Sequence, residues 1–509
     1  MNFKKLKKPS YIFCYCFTFI FALVCEAQTS SSFSNKGKSS SLDTKVNESS
    51  SKQTQQNTNP SKTGKRNVEG EDLVSEGKLD NTIDVGAPSV KKIRIAIPNF
   101  LNVDNSVPVS KIDLNNFTKR MNSILAFTNW FEFIPPESFP KVANIALQTF
   151  QAAQWKTLKA EYVIIGKFAP ASGGNKFNIE FRLFDVKSQS QLVGKLYTNL
   201  TIKTADIALK RFGDVLVGAL TGTPGPFMSQ MVFVGKKQTS GYGQIFIADF
   251  DGGNLKQITN NGAVNLSPTW AKDGSKITYT SYKSGKPEIY NFDLVTKKES
   301  KLVSNIQNSS GASWSSDGNT IAFSASTTDG STHIFTMNKF GGNKKLLLDT
   351  SQIEVEPAYS PNGKLLAYTS TKFGKPMIFI KDLITNENKR ITYAGWYNAS
   401  ASWSPDSKTI AFASYDRDID RWDLFKINAD GNKIERLTLN QGDNEKPTWS
   451  PDGRFILFQS DRTPKGTRNG PRKLYIMNKD GAYQKALDIP LTEAKQPSWG
   501  PSQSEFEEE

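Results

Sequence analysis

The stretch Lys446-Pro447-Thr448-Trp449-Ser450-Pro451-Asp452-Gly453 is one of six copies of the same pattern in the second half of the chain. The aromatic residues of successive copies are separated by 44, 45, 44, 46 and 50 residues. The other copies occupy 267–274, 311–318, 356–363, 400–407 and, in truncated form, 496–501. A repeat of this length is typical of a β-propeller, in which each blade is a sheet of four strands.

The repeat has a physical logic that fits a blade. Asp452-Gly453 predicts a tight turn between two strands, because glycine adopts a positive φ without steric cost. Trp449 is large enough to fill the space between neighbouring sheets. An alternating strand follows each complete copy, and a second strand such as Leu424-Phe425-Lys426-Ile427 recurs six times. The sequence therefore predicts an all-β propeller with six blades over 225–501.

The two ends of the repeat region are incomplete in complementary ways. The region opens at Met231-Val232-Phe233-Val234, which is typical of a second strand without a first. It ends at Trp499, a first strand without successors. We therefore expect 496–501 to enter the blade begun by Met231 as its inner strand, which closes the ring and removes a free sheet edge. A linear array of β repeats is the alternative.

The chain before the repeats divides by composition. Residues 28–90 are rich in Ser, Thr, Asn, Gln and Lys, so they bury too little apolar area to fold and predict a polar disordered tether. Residues 91–222 predict one α/β domain with strands at 92–97, 131–134, 161–166, 177–186 and 191–200, and with helices at 114–127, 146–158 and 204–220. Residues 502–509 form an acidic tail.

The first 27 residues have the pattern of a secretory signal peptide. Basic residues precede the uncharged apolar run 11–24, and small residues at Cys25 and Ala27 predict cleavage after Ala27. A membrane anchor and lipidation at Cys25 are the alternatives. The three cysteines, Cys14, Cys16 and Cys25, all lie in this segment, so the mature chain would contain none.

Composition argues against catalysis. The chain has a single histidine, His333, around which any Ser-His-Asp triad or histidine-metal cluster would have to be built. No Gly-rich phosphate loop occurs in 91–222. We expect a protein that is not an enzyme and that has no catalytic residue, no metal site and no cofactor. The net charge of +15 permits an acidic partner or an anionic lipid surface, whereas nucleic acid is not expected for an exported chain.

The signal peptide, the α/β domain and the six repeats together resemble the TolB family of bacterial periplasmic proteins. The segments that carry the resemblance are Ala208-Leu209-Lys210-Arg211-Phe212-Gly213-Asp214, Leu220-Thr221-Gly222 and Gly225-Pro226-Phe227, which are similar to that family's domain junction. The resemblance covers about 92–501. It implies a non-enzymatic component of the Tol–Pal system that supports outer-membrane integrity and cell division.

The resemblance also implies partners and a site. TolB-like proteins bind the peptidoglycan-associated lipoprotein Pal at the mouth of the propeller channel and contact the inner-membrane protein TolA through their mature N-terminus. Carried over to this chain, the Pal contacts are Asn308, Gly311, Val355 and Glu356. Asn308 replaces a histidine of the family, and the long tether departs from it. We expect a monomer that is associated with membranes only through such partners.

Acidic residues gather just before the predicted inner strands and suggest a negative patch at the channel mouth. They are Glu354, Glu356, Asp443, Glu445 and Glu493, of which Asp443 and Glu445 join the predicted partner-binding set. Ordinary solubility is the alternative reading of these charges. Two other functions stay open: an exported propeller that binds a sugar or small ligand, and a peptidase-related propeller without a catalytic domain.

Overall fold

The structure, a computed structural model, describes residues 91–102, 114–139, 150–171, 176–239, 241–303, 306–328, 330–348, 350 and 352–503. The predicted signal peptide, its cleavage site, the predicted tether and residues 504–509 of the acidic tail lie outside the described residues. The first part of the predicted helix 146–158 also lies outside them. No helix within the described ranges is long and apolar enough to cross a membrane.

An α/β region precedes the propeller. Its elements are β1 (Ile93–Ala96), β2 (Leu101–Asn102), α1 (Leu114–Ala126), β3 (Phe131–Phe133), α2 (Ala152–Thr157), β4 (Tyr162–Pro170), β5 (Phe177–Asp185), β6 (Ser190–Leu200) and α3 (Ile202–Thr221), with a single 3₁₀ turn at Pro136–Ser138. The sheet order is β3-β1-β4-β5-β6, and β2 pairs with β4. β1 is parallel to its neighbours, whereas β4, β5 and β6 form an antiparallel meander.

Helix α3 covers this sheet because its sequence is amphipathic and capped at both ends. Thr201 and Thr204 form a reciprocal capping box, and Gly222 ends the helix with φ of +85°. The inward residues of β5 alternate along the strand, so that the Phe181 ring lies 4.7 Å from the ring of Phe212 on α3. The aromatic core of the α/β region continues into the propeller, since Phe181 and Phe212 share one buried cluster with Phe250 and Phe455.

Six antiparallel sheets of four strands each follow. Blade 1 consists of β10 (Asn265–Trp270), β11 (Lys276–Ser281), β12 (Glu288–Asp293) and β13 (Glu299–Lys301). Blade 2 consists of β14 (Gln307–Trp314), β15 (Thr320–Ser326), β16 (Thr332–Asn338) and β17 (Lys345–Leu346). Blade 3 consists of β18 (Glu354–Tyr359), β19 (Leu365–Ser370), β20 (Met377–Asp382) and β21 (Asn388–Arg390).

The remaining blades complete the ring. Blade 4 consists of β22 (Tyr397–Trp403), β23 (Thr409–Asp416), β24 (Arg421–Asn428) and β25 (Glu435–Arg436). Blade 5 consists of β26 (Asn444–Trp449), β27 (Phe455–Ser460), β28 (Lys473–Asn478) and β29 (Lys485–Ala486). Blade 6 joins the two ends of the repeat region, in the order β30 (Glu493–Ser502), β7 (Ser229–Lys236), β8 (Gln244–Asp249) and β9 (Lys256–Gln257). The predicted six-bladed propeller, closed by the C-terminal strand, is confirmed.

The repeat motif builds the turn between the first two strands of a blade. In blade 4, Ser404 Oγ donates to Asp406 Oδ1 at 2.6 Å and accepts from the backbone N–H of Thr409 at 3.0 Å. Three other blades make the same pair of contacts from Ser315, Ser360 and Ser450. The serine thus ties the turn to the second strand, which explains why it precedes the Pro-Asp-Gly segment.

The antiparallel strand order gives the propeller two distinct faces. The inner strands end at the repeat turns, and we call that side the turn face; they begin on the other side, which we call the mouth face. The α/β region packs on the turn face: Phe127 lies 4.8 Å from Phe250 in the β8–β9 turn, and Arg454 Nη1 donates to the carbonyl of Pro224 at 2.9 Å. The start of every inner strand is consequently left uncovered by the α/β region.

Candidate binding site

Each of the six inner strands carries a β-bulge at the same position. The third residue before the blade tryptophan or tyrosine has a positive φ in every blade, and the strand register is broken beside it. We call these positions the bulge ring; they are Ser267, Gly311, Glu356, Ser400, Lys446 and Gln496. Only one of the six is glycine, although this backbone conformation costs other residues free energy.

The bulge ring lines the central channel. A cavity of about 370 Å³ is bounded by all six ring residues and by residues that directly follow them, such as Pro447, Thr448 and Trp449. Prolines 268, 357, 447 and 497 supply apolar wall, while the ring side chains supply the polar groups. A pocket of this size with a few convergent polar groups is suited to binding a side chain or a short chain segment.

Glu356 makes an ion pair within the channel. Its Oε2 accepts from the backbone N–H of Ser400 at 2.7 Å, and its Oε1 accepts from Nζ of Lys446. The carboxylate therefore joins three successive blades. Although burial opposes ionisation, the Lys446 ammonium and the Ser400 N–H hold the pKa of Glu356 below its usual value. The side chains of Glu356 and Lys446 remain 31% and 28% exposed, so a ligand entering the channel can reach them.

Gln496 repeats this geometry between the last blade and the first. Its Oε1 accepts from the backbone N–H of Ser267 at 2.8 Å, as Glu356 does from Ser400. The backbone N–H of Gln496 is itself bonded to Gln459 Oε1 at 2.8 Å. Bulge-ring side chains thus satisfy the N–H groups that the bulges remove from the strand ladders.

Of the six predicted site residues, the structure brings Gly311 and Glu356 together in the channel wall. Asn308 begins blade 2 with φ of 49°, and its amide nitrogen lies 3.4 Å from Ser326 Oγ. Val355 is half-buried and pairs with Thr369 next to the bulge. These two lie where their inner strands begin, at the mouth face.

Asp443 and Glu445 occupy a different kind of position. Both are buried, and each carboxylate is paired with an arginine of the β27–β28 loop: Asp443 with Arg468 at 2.8 Å, and Glu445 with Arg472 at 3.2 Å. Burial raises the pKa of Asp443, while Arg468 and the Trp422 N–H oppose that shift. Within the described residues, neither carboxylate contributes to the wall of the channel cavity.

The suggestion of a negative patch at the mouth is wrong for the described residues. Every acid that motivated it has a basic partner or lies buried beside one: Glu356 with Lys446, Glu493 with Lys236 and Lys495, and Glu354, fully buried, with His333 at 2.7 Å. The sequence shows where acids occur but not which bases lie beside them, because all of these bases except Lys495 come from another strand or loop. The only histidine of the chain therefore lies in a buried contact with a carboxylate rather than in a reactive cleft.

Sequence reasoning missed four members of the bulge ring, all with polar side chains: Ser267, Ser400, Lys446 and Gln496. The signal was present in the repeat, since each stands three residues before a blade tryptophan, as Glu356 stands before Tyr359. The sequence pattern alone does not indicate that a bulge turns this position toward the channel. No group of three or more His, Cys, Asp or Glu side chains that could hold a metal ion occurs among the residues that the structure describes.

An α/β region seated on one face of a closed propeller, with a polar cavity at the centre of the ring, defines a binding scaffold of the propeller class. Family models agree, and they name the domains: the TolB amino-terminal domain matches residues 81–192 and the TolB beta propeller domain matches residues 217–503. The chain belongs to the TolB family. TolB proteins belong to the Tol–Pal system and are periplasmic scaffolds rather than enzymes, in agreement with the expectation from sequence.

Individual relatives support the same conclusion. The chain is 31% identical over 383 residues to a protein TolB homolog of Chlorobium luteolum, covering 74% of this chain and 83% of that protein. It is 32% identical over 211 residues to the Tol-Pal system protein TolB of Desulfosudis oleivorans, covering 41% of this chain but only 47% of that relative. The crystal structure of TolB from Acinetobacter baumannii superposes with a TM-score of 0.69 at 28% identity, over 81% of this chain and 97% of that chain.

Proposed function

We propose that this protein binds a Pal-like peptidoglycan-associated lipoprotein at the mouth face of its propeller. In this role it supports outer-membrane integrity and cell division as a component of the Tol–Pal system. The proposal rests on family membership and on the mouth face, where the inner strands begin and which the α/β region leaves uncovered. The site consists of Asn308, Gly311, Val355 and Glu356, to which the bulge ring adds Lys446.

The single observation that carries this proposal is the bulge ring itself. Five of its six members hold a non-glycine side chain in a backbone conformation that glycine would adopt with less strain. Local strain of this kind is concentrated at binding and catalytic sites. The strained residues all face one cavity, and two of them, Glu356 and Lys446, offer a carboxylate and an ammonium to an incoming polar segment.

Asp443 and Glu445 act indirectly in this proposal. Their ion pairs with Arg468 and Arg472 fix the β27–β28 loop next to the start of the inner strand of blade 5. They are therefore positioning residues for the mouth. Their substitution would move the loop rather than remove a direct contact with the partner.

Export and the second partner belong to the same proposal. The predicted signal peptide directs the chain to the periplasm, with cleavage after Ala27, and the mature N-terminus contacts a TolA-like inner-membrane protein near the start of the α/β region. Sequencing the N-terminus of the protein recovered from the cell envelope tests the first point: a chain that begins at Gln28 supports cleavage there. A chain that begins at Cys25 and carries lipid would instead indicate a lipoprotein.

Titration calorimetry tests lipoprotein binding. The exported protein is titrated with the soluble domain of a peptidoglycan-associated lipoprotein from the same cells. Truncating one partner of a charge pair at an interface weakens binding strongly, so Glu356→Gln should lower the affinity by about tenfold or more. The control is Ile384→Ser, which changes an exposed side chain on the turn face and should leave the affinity unchanged. Equal affinity of the parent, Glu356→Gln and Ile384→Ser for the lipoprotein, or binding of glycan fragments instead of the lipoprotein, would contradict the proposal.

A further inference from the structure

Three large aromatic side chains project from neighbouring loops on the mouth face. Phe373, in the β19–β20 loop, is 60% exposed; Tyr393 and Trp396, in the connection between blades 3 and 4, are 63% and 39% exposed. None of the three is part of the channel wall. Contiguous exposed apolar side chains on a soluble domain indicate an interaction surface.

Basic side chains surround these rings. The Arg390 guanidinium lies 5.5 Å from the ring centre of Phe373 and 4.7 Å from that of Tyr393. Lys375 and Arg417 lie 4.6 Å and 4.7 Å from the ring centre of Trp396. Lys372 lies 5.8 Å from that of Phe373. We call this group the rim patch; it comprises Lys372, Phe373, Lys375, Arg390, Tyr393, Trp396 and Arg417.

The rim patch is held in place by the backbone. Phe373 precedes Gly374, whose φ of 84° makes the tight turn that puts the ring at the loop tip. The backbone N–H of Trp396 donates to the carbonyl of Tyr415 at 3.0 Å, and the Tyr393 hydroxyl donates to the carbonyl of Arg390 at 3.1 Å. The rings are therefore presented by ordered loops.

The charge of the rim patch is positive even when its neighbours are counted. Asp416 and Asp418 flank Arg417, and the Asp418 N–H donates to Asp416 Oδ1. A third acid of the same loop, Asp420, is paired with Arg468 at 3.2 Å. Asp416 and Asp418 therefore stand against the four bases of the rim patch.

We propose that the rim patch binds anionic phospholipid headgroups at a membrane surface. Tryptophan and tyrosine concentrate at the level of lipid headgroups, and neighbouring lysine and arginine side chains attract anionic lipids. The patch has both features: exposed rings at loop tips and bases directly beside them. Burial of the rings at the interface and attraction of the bases then act together.

A sugar chain fits this surface less well. Glycans stack on a free ring face, whereas the faces of Trp396, Tyr393 and Phe373 are approached by cations. An acidic peptide would pair with the bases but would offer the rings at the loop tips no apolar phase to enter. The inference does not rest on lipoprotein binding, because it can be tested with lipid alone. It adds a direct lipid contact to a protein for which we expected membrane association only through its partners.

Vesicle sedimentation tests the proposal. The exported protein is mixed with vesicles of phosphatidylethanolamine and phosphatidylglycerol, or with vesicles of phosphatidylcholine alone. We expect binding to the anionic vesicles only, and we expect it to decrease with salt. Inorganic phosphate at the same ionic strength serves as a competitor: displacement by phosphate beyond the effect of salt would show a site for a free anion and overturn the proposal.

Two variants separate the contributions of rings and charges. F373S with W396S should lower vesicle binding by about tenfold or more, since two rings no longer enter the interface. K372Q with K375Q should lower it by about fivefold for each base removed. The matched control is Phe340→Ser: Phe340 is 80% exposed beside Lys339, but it lies on the turn face. All variants share residues 28–90, so any contribution of that segment is constant.

The result that overturns the proposal is equal vesicle binding by the parent and both rim-patch variants, or no preference for anionic vesicles. Loss of lipoprotein binding in these variants without any vesicle binding would assign the rim patch to a protein contact instead and would also overturn it. A melting curve of each variant shows that the fold is retained. Failure of the vesicle test leaves the Glu356→Gln titration unaffected, so the two proposals stand or fall separately.

Discussion

The indole Nε1 of Trp499 donates a hydrogen bond to Ser229 Oγ at 2.7 Å, across 270 residues of chain. Trp499 also pairs with Met231 in the ladder that joins β30 to β7. The first and last strands of the propeller therefore form one sheet, and β7 is not left as an unpaired edge strand. Because Trp499 contributes both to the strand ladder and to the packing of the blade, its substitution is the most direct test of closure.

Replacing Trp499 with alanine should lower the free energy of unfolding by about 3–5 kcal/mol, because the indole is 7% exposed and leaves a large cavity. Urea unfolding followed by circular dichroism measures the loss. Trp499→Phe keeps most of the packing and removes the bond to Ser229, so it should cost clearly less. Equal stability of the alanine variant and the parent would contradict closure by this strand.

The interface between the α/β region and blade 6 contains a buried ion pair. Nζ of Lys210 lies 2.5 Å from Asp249 Oδ2, and both side chains are less than 10% exposed, at 7% and 8%. Burial opposes ionisation, but hydrogen bonds from Gln230 and Lys210 hold the pKa of Asp249 below its usual value. Lys210→Met leaves this carboxylate without its main counter-charge and should cost about 3–5 kcal/mol.

The double variant Lys210→Met with Asp249→Leu serves as the comparison in the same urea experiment. Replacing both members of a buried pair by apolar side chains is often close to neutral, so the double variant should be more stable than Lys210→Met alone. The opposite order would show that Lys210 stabilises the interface through its neighbour Asp206, which it contacts at 2.5 Å, rather than through Asp249.

Asp214 makes stability depend on pH near neutrality. Burial raises its pKa to about 7, against hydrogen bonds from the backbone N–H groups of Phe227 and Met228. The ordinary pKa of an aspartate side chain is 3.8, so between these two values the folded protein binds more protons at this site than the unfolded chain. The stabilising contribution is therefore complete below the lower value and is lost as the pH rises toward 7.

Denaturation midpoints measured from pH 4 to pH 8 should show this decline, superimposed on the contributions of other groups. Asp214→Asn carries no titrating group and should flatten the decline. Asp214→Asn should also be less stable than the parent at low pH. Each carboxyl oxygen of Asp214 accepts a backbone N–H, whereas the amide NH₂ of asparagine is a donor and cannot accept one. An unchanged pH profile in the variant would assign the dependence to another carboxyl.

The sequence predicted the propeller better than the site, for a physical reason. Blade strands and turns are local: the spacing of Trp449 and Gly453 already specifies a strand and its turn, and the incomplete ends at Met231 and Trp499 predicted closure. The strand Leu101–Asn102 went unpredicted, since two residues carry no periodicity. Helix α2 is observed at Ala152–Thr157, within the predicted 146–158.

The channel ion pair could not be predicted in the same way. Glu356 and Lys446 are 90 residues apart, and they meet only because a ring of six blades brings non-adjacent blades around one axis. The rim patch likewise combines three loops from two neighbouring blades. The sequence identified Glu356 through the family resemblance and the acids that precede the inner strands, and it gave no indication that those acids lie beside basic side chains.

The last prediction separates the structural contribution of the channel ion pair from its role in binding. Because Glu356 and Lys446 are about one-third exposed, their mutual attraction should contribute only about 1 kcal/mol or less to stability. A double-mutant cycle with Glu356→Gln and Lys446→Met, followed by urea unfolding, measures this coupling.

The lowered pKa of Glu356 means that the coupling is present at neutral pH and above 4.5, the pKa of this side chain in the unfolded chain. The coupling is lost as the pH falls below that value. The affinity for the lipoprotein domain should change far more than stability does, because an incoming partner further desolvates the pair and raises the cost of an unmatched charge. If the coupling contributes several kcal/mol to stability while the affinity for the lipoprotein domain is unchanged, the pair stabilises the ring and Glu356 is not part of the binding site.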